Sequence, residues 1–257
     1  MPSILKDKIS IILNSKVHKI TKNETLDFIE QQFVQNKQVH HVVVNAGKLV
    51  EMQKNRNLYN SVNNCDIINA DGQSVVWASQ FLGTPLPERV AGIDLMESLV
   101  KLAYNKGYSC YFFGAKENVV KKVITHYSNL YSPSVIAGYR NGYFNENEQK
   151  NIALDIAKSK ADILFVAITS PKKEIFLNRF KDIINTPFIM GVGGSFDVVA
   201  GVTKRAPLWM QRAGLEWFYR FIQEPRRMWK RYLVGNTKFI ILILKQKFGL
   251  YKNPFDN

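Results

Sequence analysis

Residues 94–117 read DLMESLVKLAYNKGYSCYFFGAKE, and this stretch decides the fold class. Its first half sets Leu95/Met96, Leu99/Val100 and Leu102/Ala103 at helical spacing, which predicts an amphipathic helix over Asp94 to Lys106. Asp94 and Glu97 form a capping-box variant at its start. Then comes Cys110-Tyr-Phe-Phe113, an apolar run of strand length, and a glycine-bearing loop, Gly114-Ala-Lys-Glu117. Outward from here the alternation recurs. His41-Val-Val-Val-Asn45, Asp66-Ile-Ile-Asn69, Ser134-Val-Ile-Ala137, Ile163-Leu-Phe-Val-Ala-Ile168 and Phe188-Ile-Met190 are further runs of strand length, most followed by a polar loop and a helical pattern. Asn145 with Glu148 repeats the helix-start signal before Ile152 and Ile156. Strands alternating with helices imply an α/β fold, a mostly parallel sheet with helices on both faces.

The chain of 257 residues can bury a substantial core, and 46% hydrophobic with 22% charged residues excludes a disordered or collagen-like chain. Cys65 and Cys110 are too few for a disulfide scaffold and read as reduced thiols. The opening MPSILKDKISIILNSK has charges among its apolar residues, unlike a signal peptide, and no stretch nears the ~20 apolar residues of a membrane span. The expected location is therefore cytoplasmic.

The net charge of +14 points to a polyanionic partner. From Lys204 onward there are 12 basic residues against Glu216, Glu224 and Asp256, so +9 of the +14 lies in the last fifth of the chain. Trp209, Trp217, Trp229, Tyr219, Tyr232 and several phenylalanines share that segment, the residue mix of a bilayer interface. Pro225 is placed to start a helix and Gly235 to end it, and Thr237 to cap the next, over Phe239-Ile-Ile-Leu-Ile-Leu244. At about a dozen residues, roughly 18 Å, that helix is too short to span a bilayer; it lies in the interface or packs on the domain. The expected organisation is an α/β core over 1–203 and a helical, basic, membrane-directed appendage over 204–257. An oligomer formed through the apolar face of the tail stays open.

In parallel sheets ligands bind where the loops leave the C-terminal strand ends. Here these are Asn45–Lys48, Asn69–Gly72, Gly114–Glu117, Thr169–Lys173 and Gly191–Asp197. The glycine turns suit phosphate, yet Gly191-Val-Gly-Gly lacks the third glycine of G-x-G-x-x-G. Asp71 is either a carboxylate at the sheet edge or the cap of a helix beginning near Ser74. Arg89, after Pro85-Leu-Pro87, is either a site residue or the partner of Glu88 or Asp94. No D-x-D, G-x-S-x-G or C-x-x-C appears, and His18, His40, His41 and His126 lack metal-ligand spacing. No metal site and no cofactor are expected.

Read together, these loops resemble the WecG/TagA/CpsF family of bacterial glycosyltransferases. The resemblance runs from about residue 40 to 235. It rests on Asn69-Ala-Asp-Gly72, Leu86-Pro-Glu-Arg-Val-Ala-Gly-Ile-Asp94, Phe112-Phe-Gly-Ala115, Ala161–Val166 with Ser170-Pro-Lys172, and Gly191-Val-Gly-Gly-Ser-Phe-Asp197. Gly201, Arg205-Ala-Pro207, Gly214-Leu-Glu-Trp217 and Glu224-Pro-Arg-Arg227 complete it. The family implies a Rossmann-like core and inverting, metal-independent transfer from a UDP-sugar to a polyprenyl-diphosphate-linked sugar. It places that reaction on the inner face of the plasma membrane, in cell-surface polysaccharide synthesis. The resemblance makes Asp71 the general base and Arg89 its catalytic companion. Asn45, Gly114, Ala115, Lys173, Gly193, Gly194, Ser195 and Asp197 fall to the donor, and Arg220, Arg227 and Lys230 to the lipid diphosphate. Val43, Thr169 and Lys173 stand where members close to TagA have threonine, glycine and glutamine, which leaves open whether the sugar is ManNAc, its uronate, glucose or glucuronate.

Two other classes suit parts of the sequence. A Rossmann-type oxidoreductase needs the complete dinucleotide fingerprint, which is missing. A non-catalytic basic module binding nucleic acid needs a recognised nucleic-acid motif, and none appears.

Overall fold

A computed structural model describes residue 5, residues 7–229 and residues 233–255. Six strands form one parallel sheet: β3 (Val39–Val44), β4 (Ile67–Ala70), β5 (Cys110–Gly114), β6 (Ile136–Arg140), β7 (Ile163–Ala167) and β8 (Phe188–Gly191). Their order across the sheet is β4-β3-β8-β7-β5-β6. The α/β fold read from the alternating pattern is the one observed. The chain steps outward from β3 to β4 on one side and from β5 to β6 on the other, then fills the middle with β7 and β8. All strand C-termini therefore open on one edge, with a change of winding direction inside it.

Side-chain alternation along the strands builds two apolar layers. Cys110, Phe112, Ile163, Phe165, Phe188 and Met190 face one side, packed under α1 (Lys22–Val34), α5 (Gly92–Lys106) and α6 (Glu117–Leu130). Tyr111, Phe113, Leu164, Val166 and Ile189 face the other side, under α7 (Gln149–Lys158) and α8 (Lys172–Ile184). Val42, Val44, Ile68 and Ala70 continue that second side under α2 (Ala46–Met52), α3 (Arg56–Asn63) and α4 (Gln73–Leu82). With both faces covered, the middle strands carry no polar alternation, which is why they appear as unbroken apolar runs.

Two local features differ from the expectations and one agrees. The helix expected from Asp94 begins two residues earlier, with Ala91 at the cap position, where a methyl group can make no hydrogen bond, and Asp94 is turned to Arg205. The Asn145–Glu148 capping box does form. A two-stranded antiparallel hairpin, β1 (Ile9–Ile12) with β2 (Ser15–His18), precedes the sheet and has no counterpart among the sequence expectations.

After β8 come α9 (Ser195–Val199), α10 (Leu208–Arg212), α11 (Glu216–Gln223), α12 (Pro225–Trp229) and α13 (Gly235–Lys247). Pro225 starts a helix as expected. Gly235, however, is the first residue of α13 and does not terminate a helix; it lacks the positive φ that a terminating glycine adopts. Thr237 is no cap either, since its hydroxyl donates to the Leu233 carbonyl one turn back, at 2.6 Å. α13 packs on α2 and α4, burying Phe239 and Ile243 in the core layer of Val44 and Leu49. Gln246 clamps it to the hairpin: its amide donates to Ile11 O and accepts from Leu13 N–H, both at 2.8 Å. Among the described residues no helix is long and apolar enough to cross a membrane.

Candidate active site

Asp71 is the first residue past β4. Its N–H donates to Val44 O at 2.8 Å, extending the β3–β4 ladder by one step and setting the side chain at the sheet's C-terminal edge. The capping alternative fails: Gly72 occupies the N-cap of α4, with no side-chain cap bond. The Asp71 carboxylate instead accepts the Gly92 N–H at 3.3 Å, at the start of α5. Burial pushes the Asp71 carboxyl above its ordinary value, and Glu216 adds to that, while Arg89, Arg220 and the Gly92 N–H pull it down. The balance leaves a carboxyl group with raised proton affinity at the edge where ligands bind.

Asn45 caps α2, accepting the Lys48 N–H at 3.0 Å. Its Cβ lies against Gly72, where an added Cβ would come within 3.2 Å of it, so residue 72 has to be small. Arg89 points into an ion-pair network. Its Nη1 lies 2.7 Å from Glu216 Oε2 on α11, and neither expected partner holds it. Glu88 accepts the Lys22 N–H at 2.6 Å, and Asp94 takes Arg205 Nη1 at 2.6 Å. Arg205 Nε also reaches to 3.7 Å from Glu216 Oε1, so the one Glu216 carboxylate faces two guanidinium groups. Arg220 follows Glu216 by one helical turn and acts on Asp71 electrostatically. Arg227 belongs to α12, but its side chain lies outside the described residues, as does Lys230.

The β8 loop meets α8 closely. Lys173 runs beneath it, buried, so that a Cβ on Gly191 would stand 2.5 Å from Lys173 Cε and one on Gly193 would stand 4.0 Å from Nζ. Gly193 has φ +56°, and Gly194 caps α9. Ser195 is buried with its hydroxyl donating to Val192 O at 2.7 Å. The Asp197 carbonyl accepts the Val202 N–H at 2.8 Å and so closes the turn after α9. Lys173 shares Glu174 with Lys48, at 3.5 Å and 2.7 Å to the same oxygen. Burial brings the Lys173 ammonium down to about 8, and Glu174 partly restores it. Burial alone would raise the Glu174 carboxyl, but the two lysines hold it well below the usual range. Lys48 and Glu174 were not among the sequence candidates; they lie 126 residues apart, and only the β3–β8–β7 neighbourhood brings them together.

Gly114 ends β5 with φ +132°, and a Cβ would sit 2.4 Å from the Ala167 carbonyl carbon, so only glycine fits. Ala115, with φ +57°, donates its N–H to Ala167 O at 2.9 Å. Three strands separate β5 from β4, so Gly114 and Asp71 stand roughly 19 Å apart along the edge. An extended ligand lying across the strand ends reaches both; a small one does not. Among the described residues no group of three or more His, Cys, Asp or Glu side chains is placed to hold a metal ion.

This edge carries a carboxyl of raised proton affinity at one end and glycine turns toward the other. Comparison with known proteins names a class for the chain. Residues 10–253 match the glycosyl transferase WecG/TagA/CpsF family. The chain is 34% identical, over 86% of its length and 86% of the relative's, to an N-acetylglucosaminyldiphosphoundecaprenol N-acetyl-beta-D-mannosaminyltransferase of Bacillus subtilis (strain 168). A Bacillus spizizenii protein of the same name is 33% identical over 86% of this chain and 90% of that one. The chain belongs to the WecG/TagA/CpsF family and is a glycosyltransferase.

Proposed function

We propose that this enzyme transfers a sugar from a UDP-sugar to a polyprenyl-diphosphate-linked acceptor, with inversion and without a metal, in bacterial surface-glycan synthesis. ManNAc is the sugar the relatives' names favour, and a GlcNAc-diphosphate lipid is the acceptor they favour. The observation that carries this reading is the setting of Asp71: a carboxyl group at the ligand edge, raised by burial yet flanked by Arg89 and Arg220. In a single displacement Asp71 takes the proton of the acceptor hydroxyl as that oxygen attacks the anomeric carbon. The C–O bond to UDP breaks on the opposite face, and its electrons leave with the diphosphate.

The leaving charge needs cations and N–H donors. Lys173 with the Gly193–Gly194 turn, and Arg89, supply them on the donor side. Asn45, Gly114, Ala115, Ser195 and Asp197 shape the same cleft, Ser195 and Asp197 by bracing the loop. Arg220, Arg227 and Lys230 of the appendage meet the acceptor's diphosphate. Residues 204–257 serve as the membrane-directed part, peripheral on the inner leaflet. The outer face of α13 suits that role: Ile240, Ile241, Leu244 and Phe248 are exposed there, with Lys238, Lys245 and Lys247 around them. Phe81 and Trp77 of α4 continue the exposed apolar surface, Lys247 standing 5.5 Å from the Phe81 ring.

The purified full chain, given UDP-ManNAc and a GlcNAc-diphosphate-polyprenyl acceptor in excess EDTA, is expected to form the disaccharide lipid. Turnover abolished by EDTA and restored by Mg²⁺ or Mn²⁺ would overturn the metal-independent mechanism. Activity only with UDP-ManNAc uronate, UDP-glucose or UDP-glucuronate would reassign the sugar.

A further inference from the structure

We infer that Glu216 is a positioning residue for the transfer reaction: through its pairs with Arg89 and Arg205 it seats α11 over the catalytic edge and fixes where the Arg89 guanidinium stands relative to Asp71. The inference rests on the reading of Asp71 as general base.

The geometry is a four-membered ionic chain. Arg89, from the loop between α4 and α5, meets one oxygen of Glu216 at 2.7 Å. Arg205, from the segment between α9 and α10, reaches toward the other at 3.7 Å and closes on Asp94 of α5 at 2.6 Å. Two arginines from separate parts of the chain thus face the one Glu216 carboxylate, and the second carries the link on to α5. The side chains of Arg89 and Glu216 are only 15% and 13% exposed, so water screens the pair far less than a surface pair. Removing one partner of such a pair leaves a shielded charge that must find another.

The nearest consequence falls on Asp71. The charged groups that act on it are Arg89 from the α4–α5 loop, Glu216 and Arg220 from α11, and Lys173 from α8; the Gly92 N–H of α5 adds its hydrogen bond. Glu216 is the one carboxylate in that set. It occupies Arg89 and opposes the cations, and so keeps the Asp71 carboxylate a competent proton acceptor. Without it Arg89, Arg220 and Lys173 act unopposed, and Asp71 becomes a weaker base. Because Arg220 lies one turn from Glu216 on α11, the same anchor also sets where Arg220 meets the lipid diphosphate.

The test uses the full chain, UDP-ManNAc and the GlcNAc-diphosphate-polyprenyl acceptor, with kcat/KM followed across pH for wild type, Glu216→Gln and Glu216→Asp. Glu216→Gln is expected to lose about tenfold or more at neutral pH and to move the acid limb roughly one pH unit lower. Glu216→Asp keeps the charge on a shorter stem and is expected to fall between the two in both rate and limb position. An acid limb unmoved in both variants overturns the inference, whatever the rates, since a packing role alone leaves the limb in place. If Glu216→Gln fails to fold, as a thermal melt would reveal, the limb of Glu216→Asp decides. Asp71→Asn is measured alongside. Near-normal turnover there removes the base reading and this inference with it; an inactive Asp71→Asn beside unmoved Glu216 limbs removes this inference alone.

Discussion

At the scale of single residues, the buried histidines illustrate how local environment settles a role. His41 Nε2 lies 2.8 Å from Asn69 Oδ1 under the site edge, and His18 Nδ1 accepts the Ile68 N–H at 2.9 Å. Burial lowers His18 and His41 to about 4 and His40 to about 3. All three are therefore neutral in the folded protein, as structural histidines are. The unfolded chain binds their protons near the ordinary value of 6.5, so stability is intact above that pH and lost as pH falls toward 4. Each histidine contributes up to about 1.4 kcal/mol per pH unit in that window. The thermal midpoint is expected to hold above about pH 6.5 and to fall steeply from there toward pH 4; a midpoint flat over that range would contradict the assignment. His40 and His41 lie within β3, and their lack of metal-ligand spacing was legible in the sequence. The partner of Arg89 was not: Glu216 lies 127 residues away, and no local pattern encodes such a pair.

At the scale of elements, the six sheet strands were legible because strands buried on both faces write long apolar runs. The β1–β2 hairpin was not, and its turn explains why. Leu13 and Asn14 hold φ of +49° and +58°, a two-residue turn usually signalled by Asn-Gly or Asp-Gly, and a leucine in it gives no such signal. Helix α13 was half legible. Its short apolar run and basic neighbours suited either an interface or the domain, and the structure packs one face of it on the domain. Phe239 and Ile243 face the core, while Ile240, Leu244 and Phe248 face outward. The outward face makes a separate prediction possible, since changing it spares the core. Replacing Lys238, Lys245 and Lys247 by alanine is expected to weaken co-sedimentation with anionic vesicles about a hundredfold, at about 1 kcal/mol per lysine. Undiminished co-sedimentation of that folded variant would remove α13 from the membrane contact.

At the scale of the whole molecule, the charge of +14 is organised and not merely large. Nine units of it lie from Lys204 onward, in a segment whose Glu216 reaches back to Arg89 and whose last helix is pinned to the hairpin. The five loops chosen from the sequence do gather on one edge, because a parallel sheet sends every strand end the same way. The connections Lys48–Glu174–Lys173 and Arg89–Glu216–Arg205 emerge only once segments far apart in sequence become neighbours. The central claim is the role of the Asp71 carboxyl, and the account stands or falls there. The direct measurement is kcat for Asp71→Asn against wild type, with UDP-ManNAc and the lipid acceptor, alongside UDP affinity. The account predicts a loss of about 10²–10⁴-fold in turnover with UDP binding retained; turnover near the wild-type rate would contradict it.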